Sequence, residues 1–399
     1  MNIFQSKRIL LGVTGSIACY KAADLASKLE QFGADVDVVL TSAAAQFVSP
    51  LTFQSVTGRR AYVDKDLWGA EGHVLHVSLG READLIVIAP ATASTLAKLT
   101  AGQSDNLIML AVLASKAPLL LAPAMDGGMY ENPSTQANLK ALTGRDVIIV
   151  GPQQGHLASG LNALGRMTEP MELIGHIRKV LGRKGPLAGR KVIVTAGGTQ
   201  EAIDPVRSIS NRSSGKQGYA LAQAAIDLGA DVDLISAPTA LAAPVGSQLV
   251  EVISAAEMSS AVTSLAADAD VLLMAAAVSD FRPEHESSQK LKRAAGAPEI
   301  KLIPNPDILL QLDGKSKPGV VVGFAAESSD LLFNAQEKLK AKQLDLIVAN
   351  DISAKDAGFE VDTNRVVLID RSGQQEELPL MSKDEVAQLI LGRVVKLLR

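Results

Sequence analysis

Short apolar runs that end in small residues recur through the first 150 positions: Arg8 to Val13, Val36 to Leu40, Leu85 to Ala89, Leu119 to Ala122 and Val147 to Val150. They are nearly continuous Val, Ile and Leu rather than alternating, which is what strands show when helices cover both faces of a parallel sheet. Amphipathic stretches lie between them, so the first part reads as doubly wound α/β. The stretch LGRKGPLAGR (181–190) then reads as a linker, rich in Gly and basic residues with one Pro. After it the pattern restarts with KVIVTAGG at 191. GADVD occurs at Gly33 to Asp37 and again at Gly229 to Asp233, each time between a helix and the second strand of its unit. Two Rossmann-like parallel-sheet domains are expected, 1–183 and 191–399, joined by 184–190. Shared helix-end and strand-start chemistry explains a five-residue identity without requiring duplication.

The 399 residues carry a net charge of -4, with 47% hydrophobic and 21% charged residues. That balance suits a globular protein with ample core and offers no basic stripe for nucleic acid or an anionic membrane. A single cysteine, Cys19, excludes an internal disulfide framework and a Cys-based zinc site. No apolar run approaches the ~20 residues of a membrane helix, and MNIFQSKRILLGVTG leads directly into a strand and turn, so a cytoplasmic location is expected.

The turn GVTGSIACYK follows the first strand with Gly12 and Gly15 and opens a helix near Ser16. Such a turn aims backbone N–H groups at an anion, although many α/β turns use glycine only for a positive φ or close packing. The spacing is not G-x-G-x-x-G, and the second strand ends in Leu40-Thr41-Ser42 without an acid for a ribose. A mononucleotide such as FMN therefore fits better than NAD. In APATASTLAKL (89–99), the hydroxyls of Thr92 and Ser94 either cap a helix or contact a ligand at the carboxyl edge of the sheet. His76 lies just upstream on a patterned segment, where a structural role competes with that of a base.

GVTGSIACYK, the His of HVSL, APATA, AGQSDNL, PAMDGGMY and GPQQGHLASG through GRM together resemble the flavin-containing cysteine decarboxylases. From residue 188, AGRKVIVTAGGTQEAIDPVRSISNRSSGKQGYALA, AAAVSDFRP, KLK, NPDI, GFAAE and LIVAND resemble the bacterial, CTP-using phosphopantothenate-cysteine ligases. The order is similar to that of the bifunctional coenzyme A biosynthesis flavoproteins. The resemblance covers essentially the whole chain. It implies a flavodoxin-like first domain with FMN and a Rossmann-like, not ribokinase-like, ligase domain. It further implies a trimer of decarboxylase units with FMN between subunits, and paired ligase units. FMN contacts fall by similarity on Gly12, Gly15, Ser16, Ile17, Thr41, Ser42, Pro90, Thr92 and Met125, with His76 catalytic.

For the second half, Ser213, Ser214 and Gly215 at a helix start, with Arg207, Arg212 and Lys216 nearby, read as an anion site from the residues alone. The resemblance implies that phosphopantothenate attacks CTP to form an acyl-cytidylate and pyrophosphate, and that cysteine then displaces CMP. Asn211 would contact the acyl-cytidylate, where an amide both donates and accepts. Asp280 would accept from the cytosine amino group. Lys290 would meet the triphosphate from a flap spanning roughly Arg282 to Pro298. Ala275, Pro306, Asp307, Ile308, Phe324, Lys338 and Lys342 complete the nucleotide site by similarity, with magnesium expected on the triphosphate.

Two departures stand out. Family decarboxylases carry Asn in the P-x-M-N loop, where this chain has Asp126, and an ionised carboxylate only accepts hydrogen bonds. Two nearby carboxylates repel, so binding of the substrate carboxylate suffers unless Asp126 is protonated. Where the coenzyme A enzymes have Ala-Cys-Gly-Asp, this chain has Ala158-Ser159-Gly160-Leu161, and GPGRM becomes Ala163-Leu164-Gly165-Arg166-Met167. A thiol with a pKa near ~8.5 gives up its proton far more readily than an alkyl hydroxyl, so the reductive half of the decarboxylation is expected to be impaired. His156 offers a replacement acid or simply faces solvent. Three outcomes stay open: a working ligase beside a degenerate decarboxylase, a fully bifunctional enzyme, and an oxidative decarboxylase that stops at the enethiol. Cys19 reads as a small buried apolar group, and Trp68 and His73 as packing or partner contacts.

Overall fold

Both faces of the apolar strands are buried, as a doubly wound sheet requires. The computed structural model describes residues 2–68, 74–292, 299–312, 314, 317–327, 330–351 and 361–398. His73 and the flap residues 293–298 lie outside the described residues. The chain divides into two compact units, Asn2–Leu181 and Gly182 onward.

In the first unit, β1 (Arg8–Val13), β2 (Asp35–Leu40), β3 (Ala61–Val63), β4 (Leu85–Ala91), β5 (Leu119–Pro123) and β6 (Ile148–Ile149) form one sheet. Its order is β3-β2-β1-β4-β5-β6, and every pairing is parallel. The short β3 is a strand that apolar patterning did not mark. Ile9, Leu11 and Val13 point to one face, where Leu25 of α1 (Cys19–Gln31), Phe53 of α2 (Pro50–Thr57) and Ile177 of α8 (Pro170–Gly182) cover them. Leu10, Ile86 and Ile88 point to the other face, against α3 (Leu75–Glu82), α4 (Ala93–Ala101), α5 (Leu107–Ala114) and α7 (Pro133–Thr143). A one-turn α6 (Gly127–Glu131) follows β5, and β7 (Gln153–His156) with β8 (Asn162–Arg166) makes a separate antiparallel hairpin. Cys19 is fully buried; desolvation pushes its thiol up, and its Sγ donates to the Thr14 carbonyl at 3.3 Å.

The second unit repeats the arrangement with additions. β9 (Lys191–Ala196), the hairpin β10 (Gln200–Asp204) and β11 (Arg207–Ser210), α9 (Lys216–Asp227), β12 (Asp231–Ser236), β13 (Ser247–Glu251), α10 (Ala255–Ala266) and β14 (Val271–Met274) come first. A second hairpin, β15 (Phe281–Pro283) with β16 (Leu302–Pro304), precedes β17 (Val320–Glu327), α11 (Leu331–Ala341) and β18 (Leu346–Asp351). β19 (Thr363–Asn364), β20 (Val366–Asp370), β21 (Gln375–Glu377), β22 (Met381–Ser382) and α12 (Lys383–Leu397) close the unit. The main sheet runs β13-β12-β9-β14-β17-β18-β20-β21. It is parallel as far as β18 but antiparallel at β20 and β21, so this domain is mixed rather than wholly parallel. The turn Arg371–Gln374, with Gly373 at φ 83°, joins β20 and β21 as a hairpin, which accounts for the antiparallel edge at β21.

The GADVD repeat has a physical basis. Gly33 (φ 94°) and Gly229 (φ 90°) end α1 and α9 in the left-handed region. The Asp35 and Asp231 amides donate to the Lys7 and Arg190 carbonyls. Buried Asp37 and Asp233 then pair with Arg8 and Lys191, the first residues of the neighbouring strands, at 3.2 Å in both cases. Residues 184–190, read above as a linker, lie within the second unit: Leu187 is fully buried and its amide donates to the Leu228 carbonyl. A Cβ on Gly185 would sit 2.3 Å from that same carbonyl oxygen, so this glycine serves close approach rather than flexibility.

Candidate active sites

The carboxyl ends of β14, β17 and β18 open onto a pocket of about 620 Å³ in the second unit, the edge at which ligands sit in open α/β sheets. One wall is the segment Asn211–Gly218, where Gly215 (φ 74°) caps α9 without a side-chain hydrogen bond. The first turn of α9 thus forms part of the pocket wall. Gly218 lets the helix ride directly on β9, since a Cβ there would lie 2.5 Å from that of Ala196. The Asn211 amide donates to the Val278 carbonyl at 3.1 Å, which docks it on the segment leading to Asp280. Asn305 anchors the opposite wall: its amide nitrogen donates to Ser279 and its backbone N–H to Asp280. Lys338 donates to the Phe324 carbonyl at 2.7 Å, and Lys342 pairs with Asp307 at 2.7 Å.

Of the residues that resemblance assigns to the nucleotide, Asn211, Ala275, Asp280, Pro306, Asp307, Ile308, Phe324, Lys338 and Lys342 all line this pocket. Lys290 does not; it is exposed on the segment that leaves β15. Arg207 is also absent from the lining, because its guanidinium pairs with Asp204 and donates to the Leu291 carbonyl. Sequence reasoning missed Asn350, Asn364 and Lys383. Lys383 is 6% exposed, and burial, with Lys216 nearby, pushes its ammonium down to about 8 against the pull of Asp362. Its ammonium donates to the Val361 carbonyl at 2.5 Å. In sequence, Ser382-Lys383-Asp384-Glu385 reads as a capping box with a solvated lysine, and the box is indeed formed. Among the described residues no three acidic, His or Cys side chains converge as a metal site.

In the first unit, the ends of β1, β2, β4 and β5 bring the Thr14–Ile17 turn, Thr41-Ser42, Thr92 and Met125-Asp126 to one edge of the sheet. Thr14, which the sequence reading passed over, ties two of these turns together: its hydroxyl donates to the Pro90 carbonyl at 2.7 Å and accepts from the Thr92 amide. Thr92 caps α4 through Thr95, and Ser42 donates to Asp64, whose other oxygen accepts the Leu107 amide. Gly15 permits close approach, since a Cβ would meet that of Ala43 at 2.5 Å; buried Gly12 packs under Ile108. A cavity of about 240 Å³ lies beside this edge, lined by Ser16, Ile17, Met125, Asp126, His156 and Ser159 among others. Gly12, Gly15, Thr41, Ser42, Pro90, Thr92 and His76 are not in its lining. His76 sits half-buried on α3, with an Nδ1 that has no partner among the described residues. Lys21, also missed, is buried in the cavity wall, donating to the Met167 carbonyl and to Glu169.

Asp126 and Ser159 meet directly. The Ser159 hydroxyl, at the tip of the β7–β8 hairpin, donates to Asp126 Oδ2 at 2.6 Å, while Oδ1 accepts the Gly128 amide at 3.0 Å. These two donors, the hydroxyl above all, hold the Asp126 carboxyl below the ordinary carboxylate range. Asp126 is therefore ionised at neutral pH. Gly165 brings the hairpin down onto this loop, since a Cβ would lie 2.1 Å from the Met125 carbonyl oxygen.

Comparison with known proteins matches the same two units. The model of the Flavoprotein family matches residues 4–182, and that of the DNA/pantothenate metabolism flavoprotein C-terminal domain matches 187–398. The coenzyme A biosynthesis bifunctional protein CoaBC of Bacillus subtilis is 42% identical over 398 residues, covering 99% of this chain and 98% of that one. Its counterpart in Vibrio vulnificus is 43% identical over the full length of both. A crystal structure of the C-terminal domain of a CoaBC protein is 39% identical, covers 54% of this chain and 98% of that one, and has a TM-score of 0.46. Among the described residues no helix is long and apolar enough to cross a membrane. The chain belongs to the family of bifunctional coenzyme A biosynthesis flavoproteins.

Proposed function

We propose that the second unit is a CTP-dependent phosphopantothenate-cysteine ligase and that the first unit is an FMN-binding decarboxylase domain with impaired activity. The observation that carries the ligase reading is the convergence of Asn211, Asp280, Asp307, Phe324, Lys338 and Lys342 around one pocket with the start of α9. In the first step the phosphopantothenate carboxylate attacks the α-phosphorus of CTP, the α–β anhydride breaks, and pyrophosphate leaves with its charge facing the lysines. The cysteine amine then attacks the acyl carbon, and CMP leaves with the electrons of the acyl–oxygen bond. Asn211, held by the Val278 carbonyl, is positioned to follow the moving charge, and Asp280 accepts from the cytosine amino group. Magnesium on the triphosphate would neutralise the leaving group.

For the first unit, FMN when bound supplies reversible two-electron oxidation of the substrate thiol. Ser16, Ile17 and Met125 would hold it with the Thr14, Thr41 and Thr92 turns of the same sheet edge. At about 240 Å³ the cavity falls below the roughly 300–1,000 Å³ of small-molecule sites, which supports an FMN site completed by a second subunit of a trimer. His76, away from the cavity lining, fits the same arrangement. Asp126 presents negative charge where a substrate carboxylate should bind, and Ser159 is a poor proton donor already engaged with it. The alternative, an enzyme competent in both steps, draws support from 42–43% identity to bifunctional relatives along the whole chain. Mass spectrometry of one reaction with 4'-phosphopantothenate, cysteine, CTP and magnesium separates the readings. Accumulation of phosphopantothenoylcysteine alone is expected. Phosphopantetheine would establish the alternative, a product two hydrogens lighter would indicate an oxidative decarboxylase that stops at the enethiol, and no product would end the ligase reading.

A further inference from the structure

The segment that carries Lys290 leaves the ligase pocket and returns to it, since Asp280 before β15 and Asn305 after β16 both line the wall. Between these ends it is tied to the β10–β11 hairpin by main-chain contacts. The Ser287 amide donates to the Ile203 carbonyl at 3.0 Å. The Leu291 peptide is gripped on both polar groups: its N–H donates to Asp204 Oδ2 at 3.1 Å, and its carbonyl accepts from Arg207 Nη2 at 2.8 Å. Asp204 is itself fixed, accepting the Val206 and Arg207 amides at 2.9 and 3.0 Å and the Arg207 Nε at 2.9 Å. Its carboxylate is fully shielded, and the Arg207 pairing holds it far below the ordinary carboxylate range. The same strand, β11, continues directly into Asn211 on the pocket wall.

We infer that Asp204 and Arg207 form a clamp that reads the Leu291 peptide and thereby positions Lys290 relative to Asn211 for the ligase reaction. One hairpin then sets two groups at once: Asn211 lies four residues beyond Arg207, about 13 Å along an extended strand, and Lys290 is the immediate neighbour of the clamped Leu291. Because the clamp binds backbone, it constrains the path of the segment without specifying its side chains, and a lysine on a held backbone loses less freedom when it meets a polyanion. Asp204 is a positioning residue, since it touches neither the pocket lining nor a reacting atom. The inference rests on the ligase reading given above.

The test uses the full-length protein with CTP-dependent pyrophosphate release and amide exchange of the 287–291 peptide read by mass spectrometry. Asp204→Ala is expected to lower kcat by about tenfold, with the KM for cysteine within about twofold of the parent, and to remove the exchange protection at Leu291. Asp204→Glu should recover part of both. Leu291→Pro deletes the N–H donor from the segment side while leaving the hairpin intact, and it should reproduce the kcat loss. Wild-type rates in both Asp204→Ala and Leu291→Pro would overturn the clamp. So would loss in Asp204→Ala alone, because Asp204 would then serve only the hairpin's stability. Failure of the parent protein to release pyrophosphate from CTP would end the ligase reading instead. In that case the exchange measurement still decides the clamp, and unchanged protection at Leu291 in Asp204→Ala overturns it.

Discussion

The two units use the same local device to opposite ends. In each, a carboxylate accepts from backbone N–H groups and from a donor on a neighbouring segment: Asp126 takes the Gly128 amide and the Ser159 hydroxyl, and Asp204 takes two hairpin amides and the Leu291 amide. Both are held in the ionised form, Asp204 above all by the Arg207 guanidinium and Asp126 by the Ser159 hydroxyl and the Gly128 amide. The difference is position. Asp204 lies outside the pocket lining, where permanent charge only strengthens hydrogen bonds, whereas Asp126 lines the cavity at the carboxyl edge of the first sheet. A fixed negative charge is sealed among hydrogen bonds in one place and borders a cavity in the other.

If Asp126 and Ser159 block the first unit together, reversing both should have the largest effect of any change to this chain. The double variant Asp126→Asn, Ser159→Cys restores a donor to the loop and a thiol acid to the hairpin tip. Phosphopantetheine formation is expected to rise by roughly a hundredfold or more, measured by mass spectrometry of the coupled reaction. Either single change should give much less, because the remaining residue keeps half of the Ser159–Asp126 contact. An additive pair of small gains would break the comparison. Next in size, Asp280→Ala should cost the ligase about a hundredfold in kcat/KM for CTP, since a buried donor of the base is left unpaired. Pyrophosphate release in the second unit checks this, and the FMN content of the protein should stay unchanged.

The doubly wound character and the main apolar strands of the first unit were readable because their side chains answer to one repeated demand, burial on two faces, whereas the short β3 and the antiparallel β20 and β21 carry no such signature. GADVD was readable as a repeat but not as an ion-pair device, since the partners Arg8 and Lys191 come from a neighbouring strand that only tertiary structure brings alongside. The residues 184–190 show the limit of composition: glycine and basic residues mark linkers and tight packing alike, and here Leu187 is buried. Most of the residues that motif resemblance assigns to the nucleotide converge on one pocket of the second unit, yet Lys383, which also lines it, was not among them, because a lysine after a helix-capping serine carries no sign of burial. Lys290 sits outside the lining, and nothing in its spacing could show that the neighbouring peptide is held by Asp204. The partnership of Asp126 with Ser159 joins residues 33 apart, each of which had been noticed only separately.

The remaining contrast concerns pH, and its two parts have opposite signs. Burial pushes the Lys383 ammonium down to about 8 from an ordinary 10.5, so burying it destabilises the fold, and that cost is fully present below about pH 8. That cost is relieved as pH rises toward 10.5, where the unfolded chain binds the extra proton. Lys383→Met should therefore raise the stability of the second unit by about 1–2 kcal/mol at pH 7 and by little at pH 10, checked by thermal unfolding at both values. An equal gain at the two pH values would mean that packing, not desolvated charge, sets the difference. Asp126 behaves in the reverse sense: its folded carboxyl is lowered, so stability from its contacts is present at neutral pH and lost only on acidification below the ordinary carboxylate range. Lowering the pH from 8 to 5 should consequently leave the carboxylate charged and give no recovery of decarboxylation, a small effect by design. A rise in phosphopantetheine formation over that interval that disappears in Asp126→Asn would show Asp126 taking up a proton where the Ser159 and Gly128 donors should forbid it, and would dissolve the analogy with Asp204.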